Sequence, residues 1–159
     1  METMSRRAVL RACGLLSAAC VFGLSACRKG YEVELSDAEW RKRLTPAEYA
    51  VLRQSSTEKP FSSPLNDEHR QGTFNCAGCG KPLFSSTAKF DSKKGWPSFW
   101  APLNQAVGEQ AVETADGKEH TEVHCAHCGG HLGYVVDDGP KPTGKRYSIN
   151  GAALKFVAA

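Results

Sequence analysis

The residues best suited to chemistry are two Cys-x-x-Cys pairs, Cys76 with Cys79 and Cys125 with Cys128, each followed by glycine. A turn of this kind directs two thiolates at one metal ion, and two turns supply the four soft ligands that Zn²⁺ takes in closed structural sites. The spacing therefore predicts structural zinc. Two disulfides are the alternative for an exported domain. A thioredoxin-like redox pair is disfavoured because neither pair opens a helix in a βαβ unit.

The chain contains seven cysteines, and the other three lie in residues 1–27. Residues 5–11 contain twin arginines, and residues 12–26 are uncharged, as in a Tat-type export signal. The stretch is too short to remain as a membrane-spanning helix. It ends in Leu-Ser-Ala-Cys27, which resembles a bacterial lipoprotein processing box with Cys27 carrying the lipid. A plain signal peptide or an uncleaved anchor remains an alternative. We expect an exported periplasmic or cell-envelope protein, attached to the membrane through Cys27.

Composition bounds the class of protein. The chain has 159 residues, 41% hydrophobic and 23% charged, which suits one globular domain after the signal is removed. Without residues 1–27 there remain 17 Lys and Arg against 16 Asp and Glu, a net charge of +1. A nearly neutral domain gives no electrostatic reason to expect nucleic-acid binding.

Two short helices are predicted at the start of the domain. Residues 28–35 are polar and predict a tether. Ser36 followed by Glu39 is a capping box, in which the serine hydroxyl and the glutamate each bond the other residue's backbone amide. Residues 45–48 repeat the pattern, with proline at the first helical position. These signals predict helices near 37–43 and 46–53.

Beyond residue 54, short apolar runs alternate with Gly, Pro, Asn and Asp, which is the pattern of strands and turns. We therefore expect a mainly β domain over residues 36–159 with short N-terminal helices. The strand candidates are Phe74, Leu83-Phe84, Val107, Val112, Val123, Leu132, Tyr134-Val135-Val136 and Leu154-Lys155-Phe156-Val157.

An ordered series of motifs points to a family. From about residue 44 to 157 the chain resembles methionine-R-sulfoxide reductase B. The motifs are Thr57-Glu58-Lys59-Pro60-Phe61, Cys76-x-x-Cys79-Gly80, Pro82-Leu83-Phe84, Lys89-Phe90-Asp91-Ser92, Gly95-Trp96-Pro97-Ser98-Phe99, Thr121-Glu122-Val123, Cys125-x-x-Cys128, His131-Leu132-Gly133, Asp138-Gly139-Pro140, Pro142-Thr143-Gly144, Arg146-Tyr147 and Ile149-Asn150.

The resemblance implies two antiparallel sheets, a structural Zn²⁺ on the four paired cysteines and a shallow active site. It also implies a substrate, methionine-R-sulfoxide in proteins or peptides. In the family a thiolate attacks the sulfoxide sulfur, takes the oxygen as sulfenic acid and releases methionine. A second thiol then closes a disulfide, which a thioredoxin-like reductant opens.

The resemblance also assigns residues around the substrate. Trp96 would pack against the methionine methyl group. His131, Arg146 and Asn150 would lie around the sulfoxide and the nucleophile, with Arg146 favouring an anionic thiolate. Other roles remain open: Trp96 as a core aromatic, His131 as a structural histidine, and Arg146 as an ion-pair partner at the surface.

The chain departs from the family at the nucleophile itself, because Ser148 stands where the motif Arg-Tyr-Cys-x-Asn has cysteine. Among the positions expected to contact substrate, Tyr134 replaces a second histidine, and Val136 replaces a frequent phenylalanine. His120 stands where an arginine commonly precedes Thr-Glu-Val. Lys94 occupies the position of the resolving cysteine of some members.

Serine changes the reaction as well as its rate. A hydroxyl is far less acidic than a thiol, cannot store the transferred oxygen as sulfenic acid and cannot form a disulfide. If Cys27 is lipidated and four cysteines bind zinc, the mature chain keeps no thiol to replace it. The serine has three possible explanations. The chain could be an engineered Cys→Ser trap, a natural relative that binds oxidised methionine without reducing it, or a reductase with different chemistry.

Two functions from different classes follow as hypotheses. One is peptide-methionine (R)-S-oxide reduction in the cell envelope. The other is a catalytically silent, zinc-stabilised module that binds oxidised or methionine-rich segments. A zinc-ribbon module for nucleic acid is a third, opposed by export and by the near-zero charge of the mature chain.

Overall fold

The structure is a computed structural model that describes residues 30–114 and 117–159. The predicted signal segment and Cys27 lie outside the described residues. Within the described ranges, no helix has the length and apolar character needed to cross a bilayer.

Both predicted helices and both capping boxes are confirmed. The first helix, α1, runs over Asp37–Arg43, and the second, α2, over Pro46–Gln54. The Ser36 hydroxyl accepts from the Glu39 amide, while the Glu39 carboxylate accepts from the Ser36 amide at 2.8 Å. Each box satisfies amides that the first helical turn leaves unbonded.

The prediction of a mainly β domain with two antiparallel sheets is also confirmed. Within the described residues one sheet has the strand order β2-β1-β9 and the other β3-β4-β8-β7-β6-β5. The strands are β1 Gly72–Cys76, β2 Pro82–Ser85, β3 Lys89–Phe90, β4 Ser98–Phe99, β5 Val107–Glu113, β6 Glu119–Cys125, β7 His131–Val136, β8 Arg146–Ile149 and β9 Leu154–Ala158. In the same residues, short 3₁₀ turns lie between α2 and β1 (Pro64–Asp67), between β2 and β3 (Ser86–Ala88) and between β8 and β9 (Gly151–Ala153).

Aromatic side chains join the two sheets. Phe74 and Phe84 come from the smaller sheet, and Phe99 comes from the larger one. The rings of Phe84 and Phe99 stack with centroids 4.4 Å apart, and those of Phe74 and Phe99 meet edge to face at 5.0 Å. All three side chains are fully buried. This packing fixes β4, which in turn pairs with the strand that carries Ser148.

Part of the segment predicted as a tether contacts the domain. The Val33 amide donates to the His127 carbonyl at 3.0 Å. The Tyr31 ring lies on Gly129, where a Cβ would come within 2.3 Å of it. The packed contacts of the described chain therefore begin a few residues after residue 27, close to the second cysteine pair.

Candidate functional site

Two strand ends position the four paired cysteines. Cys76 is the last residue of β1 and Cys125 the last of β6. After each, the chain turns back through a glycine, and the amides of Gly80 and Gly129 donate to the carbonyls of Cys76 and Cys125 at 2.8 and 2.9 Å. Both glycines have positive φ, 80° and 66°, which side chains disfavour. The turns therefore hold each second cysteine beside the first.

The four sulfur atoms form one compact cluster. Cys76 and Cys128 are 3.8 Å apart at sulfur, Cys79 and Cys125 are 3.6 Å apart, and all four lie within 4.8 Å of one another. Metal–sulfur bonds of about 2.3 Å in a tetrahedron would put the sulfurs about 3.8 Å apart. None of the four is in a disulfide, which removes the alternative of two disulfides. Hydrogen bonds from Cys125, Cys128 and Cys76 lower the pKa of the Cys79 thiol. The cluster could hold a metal ion.

A second site surrounds Ser148 in the middle of the larger sheet. Strand β8 lies between β4 and β7, so Ser148 pairs with Ser98 on one side and Tyr134 on the other. Ser148 is half-buried and lines a pocket of about 470 Å³. Its lining is Thr57, Trp96, Thr114, His120, Gly133, Tyr134, Val136, Arg146, Ser148 and Asn150. The structure thus brings together six of the seven residues predicted for the active site.

The seventh, His131, lies behind the pocket wall. It is 2% exposed, and its Nδ1 lies 2.6 Å from the Glu122 carboxylate. Its ring contacts the Tyr134 ring edge to face, with the centroids 5.4 Å apart. Of these two residues, Tyr134 lines the pocket. In this conformation His131 supports Tyr134 rather than facing the cavity.

Tyr134 contacts two histidine rings. Besides His131, the ring of His120, which also lines the pocket, meets it edge to face with the centroids 5.7 Å apart. Burial raises the pKa of the Tyr134 phenol, and the Glu122 charge adds to the effect. The phenol therefore stays neutral at physiological pH and can donate a hydrogen bond into the pocket.

Arg146 is fixed by a carboxylate. Its Nε and Nη2 donate to the two carboxylate oxygens of Asp138 at 2.7 and 2.8 Å. The hydrogen bonds from Arg146 lower the pKa of Asp138. Arg146 is 8% exposed yet lines the pocket, so it is an ion-pair partner and also a source of positive charge beside Ser148.

Glu58 ties the pocket wall to the segment after β8. Its carbonyl accepts from Trp96 Nε1 at 3.1 Å, and its amide donates to Asn150 Oδ1 at 2.9 Å. Its carboxylate accepts from the amides of Gly151 and Ala152. Asn150 is buried, and its Nδ2 also donates to the Leu132 carbonyl at 3.0 Å. The indole of Trp96 is therefore oriented by a polar network rather than by core packing alone.

The sequence alone gave Glu58, Glu122 and Asp138 no role, although each lies inside a motif. Their partners, Trp96, His131 and Arg146, are site candidates because of their residue types. A carboxylate inside such a motif is therefore a usable signal. It becomes specific only when the fold shows which basic or polar group it meets.

Gly133 allows β7 to lie close to the strand that carries the serine. A Cβ at this position would be 2.1 Å from the Ser148 carbonyl oxygen and 3.1 Å from the Ile149 Cα. Real Cβ atoms do not approach backbone so closely, so any side chain would force the two strands apart. The residue is thus required by the close strand approach next to the pocket.

Gly133→Ala is expected to lower the free energy of unfolding by about 2–3 kcal/mol, since neither contacting backbone can move freely. Urea unfolding followed by circular dichroism measures the change. Gly144→Ala is the matched control: Gly144 also has positive φ (73°) but open space around it. Equal losses in the two variants would contradict the close approach.

Known proteins match most of the chain. The SelR domain family matches residues 44–158. A peptide methionine sulfoxide reductase MsrB from Leptospira interrogans is 50% identical over 126 residues, which is 79% of this chain and 96% of that protein. The enzyme of the same name from Bradyrhizobium diazoefficiens is 53% identical over 121 residues, 76% of this chain and 87% of that protein.

A mainly β domain with a four-cysteine cluster and a pocket beside Trp96 belongs, on these matches, to the SelR class of oxidoreductase domains. More specifically, the chain belongs to the peptide methionine sulfoxide reductase MsrB family.

Proposed function

We propose that this chain recognises methionine-R-sulfoxide in polypeptides of the cell envelope, and that Ser148 prevents the thiol-dependent reduction performed by its family. The observation that carries the proposal is the pocket itself, in which Ser148 lies with Trp96 and Arg146 in the positions of the family motifs. The family relationship supports the substrate class, because the relatives are named as peptide methionine sulfoxide reductases.

Each pocket group has a physical part in recognition. The Trp96 indole offers an apolar surface to the methyl group on sulfur. Arg146, whose plane Asp138 fixes, offers positive charge to the sulfoxide oxygen. The neutral Tyr134 phenol is a second donor. Apolar contact on one side and donors on the other distinguish a methyl sulfoxide from methionine itself.

Ser148 favours binding over turnover. The family reaction moves an oxygen atom from the sulfoxide to a cysteine sulfur, and a serine hydroxyl has no such acceptor state. In the described ranges every cysteine belongs to the metal cluster, so none of those thiols lines the pocket. A thioredoxin-like reductant would have a role only if another chemistry supplied an oxidised group for it to reduce.

We propose Zn²⁺ as the metal of the cysteine cluster. A closed structural zinc site agrees with three features of the cluster. It offers four thiolates, their spacing fits bonds of about 2.3 Å, and three of the four ligands are buried. Such a metal contributes folding free energy and leaves no open position for a substrate. The chemistry of the pocket therefore depends on the zinc only through the fold.

The cell-envelope location rests on residues 1–27 and their Tat-type and lipoprotein signals. A Tat route carries folded proteins, so we propose that zinc binds in the reducing cytoplasm before export. The lipid on Cys27 would then hold the domain at the membrane. Export of zinc-loaded protein by a host that lacks the Tat pathway would contradict this order of events.

A turnover assay separates recognition from reduction. The zinc-loaded full-length chain is incubated with a peptide carrying methionine-R-sulfoxide and with dithiothreitol, and reduced methionine is measured by chromatography. We expect no reduction above a protein-free control, because Ser148 cannot accept the oxygen and no cysteine among the described residues lines the pocket. Stereospecific reduction of the R epimer by this chain would favour the reductase over the silent binder.

A further inference from the structure

A large apolar side chain is exposed beside the pocket. In the part of the chain that the structure describes, the exposed large hydrophobic residues are Phe61, Val136 and Val157. Phe61 is the most exposed at 71%, and Val136, at 41%, lines the pocket. Single exposed apolar residues are ordinary in proteins. Phe61 differs from such residues in its backbone conformation as well as in its exposure.

The backbone of Phe61 has an unusual conformation. Its φ is 62°, a conformation that costs free energy for a bulky side chain. Its amide donates to the Gly95 carbonyl at 2.7 Å. Its ring rests on Gly95, where a Cβ would lie 2.9 Å from Phe61 Cδ2 and 2.7 Å from the Pro60 Cβ. Phe61 therefore keeps its contact with Gly95 while it remains 71% exposed.

This ring borders a second depression that shares a wall with the pocket. The depression has a volume of about 150 Å³, and Phe61, Gly95 and Trp96 are among its lining residues. Trp96 also lines the pocket around Ser148, so the indole is common to both cavities. The apolar lining of the depression consists of Phe61, Phe90, Trp96 and Pro97. Its charged lining consists of Asp67, Lys89, Asp91 and Lys93, and Lys93 is paired with Asp91 at 2.6 Å.

We propose that Phe61, Gly95 and Trp96 form a subsite for an apolar side chain that neighbours the methionine sulfoxide in a polypeptide. The inference rests on the proposed function, because it needs the sulfoxide to occupy the pocket around Ser148. In an extended peptide, neighbouring residues are about 3.3 Å apart and alternate residues about 7 Å apart. A residue one or two positions from the sulfoxide can therefore cross Trp96 and reach Phe61.

The occupant is the polypeptide ligand rather than a reductant protein. A thioredoxin-like protein docks in order to open a disulfide at the nucleophile, and Ser148 cannot form one. Because Trp96 lines both cavities, a polypeptide held in the pocket around Ser148 lies next to the depression that Phe61 borders. The subsite makes the chain prefer sulfoxides in apolar surroundings over free methionine sulfoxide.

The test compares three R-sulfoxide ligands by fluorescence anisotropy and competition with the zinc-loaded full-length chain. They are a peptide with leucines flanking the sulfoxide, the same peptide with glycines, and N-acetyl-methionine-R-sulfoxide methylamide. Phe61→Ala is expected to lower the affinity for the leucine peptide roughly tenfold, which is the effect of losing one large apolar contact. The affinities for the glycine peptide and for the methylamide should change less than about twofold.

Three further variants serve as controls for a change in the loop and for nonspecific effects. Phe61→Tyr keeps the ring and should retain the preference for leucine, whereas Phe61→Gly relieves the backbone conformation and should lose it. Val157→Ala removes an exposed apolar side chain outside both cavities and should change nothing. An undiminished leucine preference in Phe61→Ala, with the methylamide still bound, would overturn the subsite alone. No binding of any of the three ligands by the parent chain would overturn the proposed function and the subsite with it.

Discussion

Ser148→Cys is expected to give the chain stereospecific methionine-R-sulfoxide reductase activity that the parent does not have. The new thiol would line the same pocket as Arg146 and Trp96, and the positive charge of Arg146 favours the thiolate. The thiolate attacks the sulfoxide sulfur, and the oxygen moves to the cysteine as sulfenic acid while methionine leaves. Dithiothreitol then supplies two electrons and two protons, which return the thiol and release water.

The gain should be on the order of 10³-fold or more over the parent, comparable to the loss when an enzyme is deprived of its nucleophile. Chromatography of reduced methionine from the separate R and S epimers measures it. Ser148→Ala is the matched control and should stay silent. Failure of Ser148→Cys to reduce the R epimer would mean that Tyr134, Val136 and His120 have altered the pocket beyond the nucleophile.

Cys76→Ser is expected to have the largest effect on folding. The cysteine cluster joins the end of β1 in the smaller sheet to the end of β6 in the larger one. Structural zinc contributes about 10–16 kcal/mol of binding free energy in small sites, which matches or exceeds the usual stability of about 5–15 kcal/mol for a whole domain. The variant should therefore bind less than one zinc per chain and be largely unfolded at room temperature.

Metal analysis together with circular dichroism tests this expectation. Ser148→Cys serves as the control, because it adds a thiol outside the cluster and should keep one zinc per folded chain. A folded, metal-free Cys76→Ser protein, or a parent chain that stays folded after chelation, would contradict the structural role of the metal.

Features encoded by neighbouring residues were predictable from the sequence. Both capping boxes depend on pairs three residues apart, such as Ser36 and Glu39, and both helices form where these pairs stand. The cysteine cluster was predictable for a similar reason. Each Cys-x-x-Cys turn is local. Because one zinc ion takes four thiolate ligands, the sequence also suggests that the two turns lie together, as they do in the structure.

Features that depend on distant pairing were not predictable. Strands β3 and β4 have two residues each, too few to show an alternating pattern, and β8 was recognised only as a motif. The position of His131 follows from its contact with Glu122 on the neighbouring strand, which turns it away from the pocket. The strained exposure of Phe61 arises from its contact with Gly95, 34 positions later in the chain.

The central claim is that the pocket recognises methionine-R-sulfoxide although Ser148 cannot reduce it. Calorimetric titration of the zinc-loaded full-length chain with the R and S epimers of one peptide tests this claim most directly. The account predicts that the R epimer binds at least about tenfold more tightly, a difference of about 1.4 kcal/mol, and remains oxidised. Equal affinity for the two epimers, or no binding of either, would contradict it.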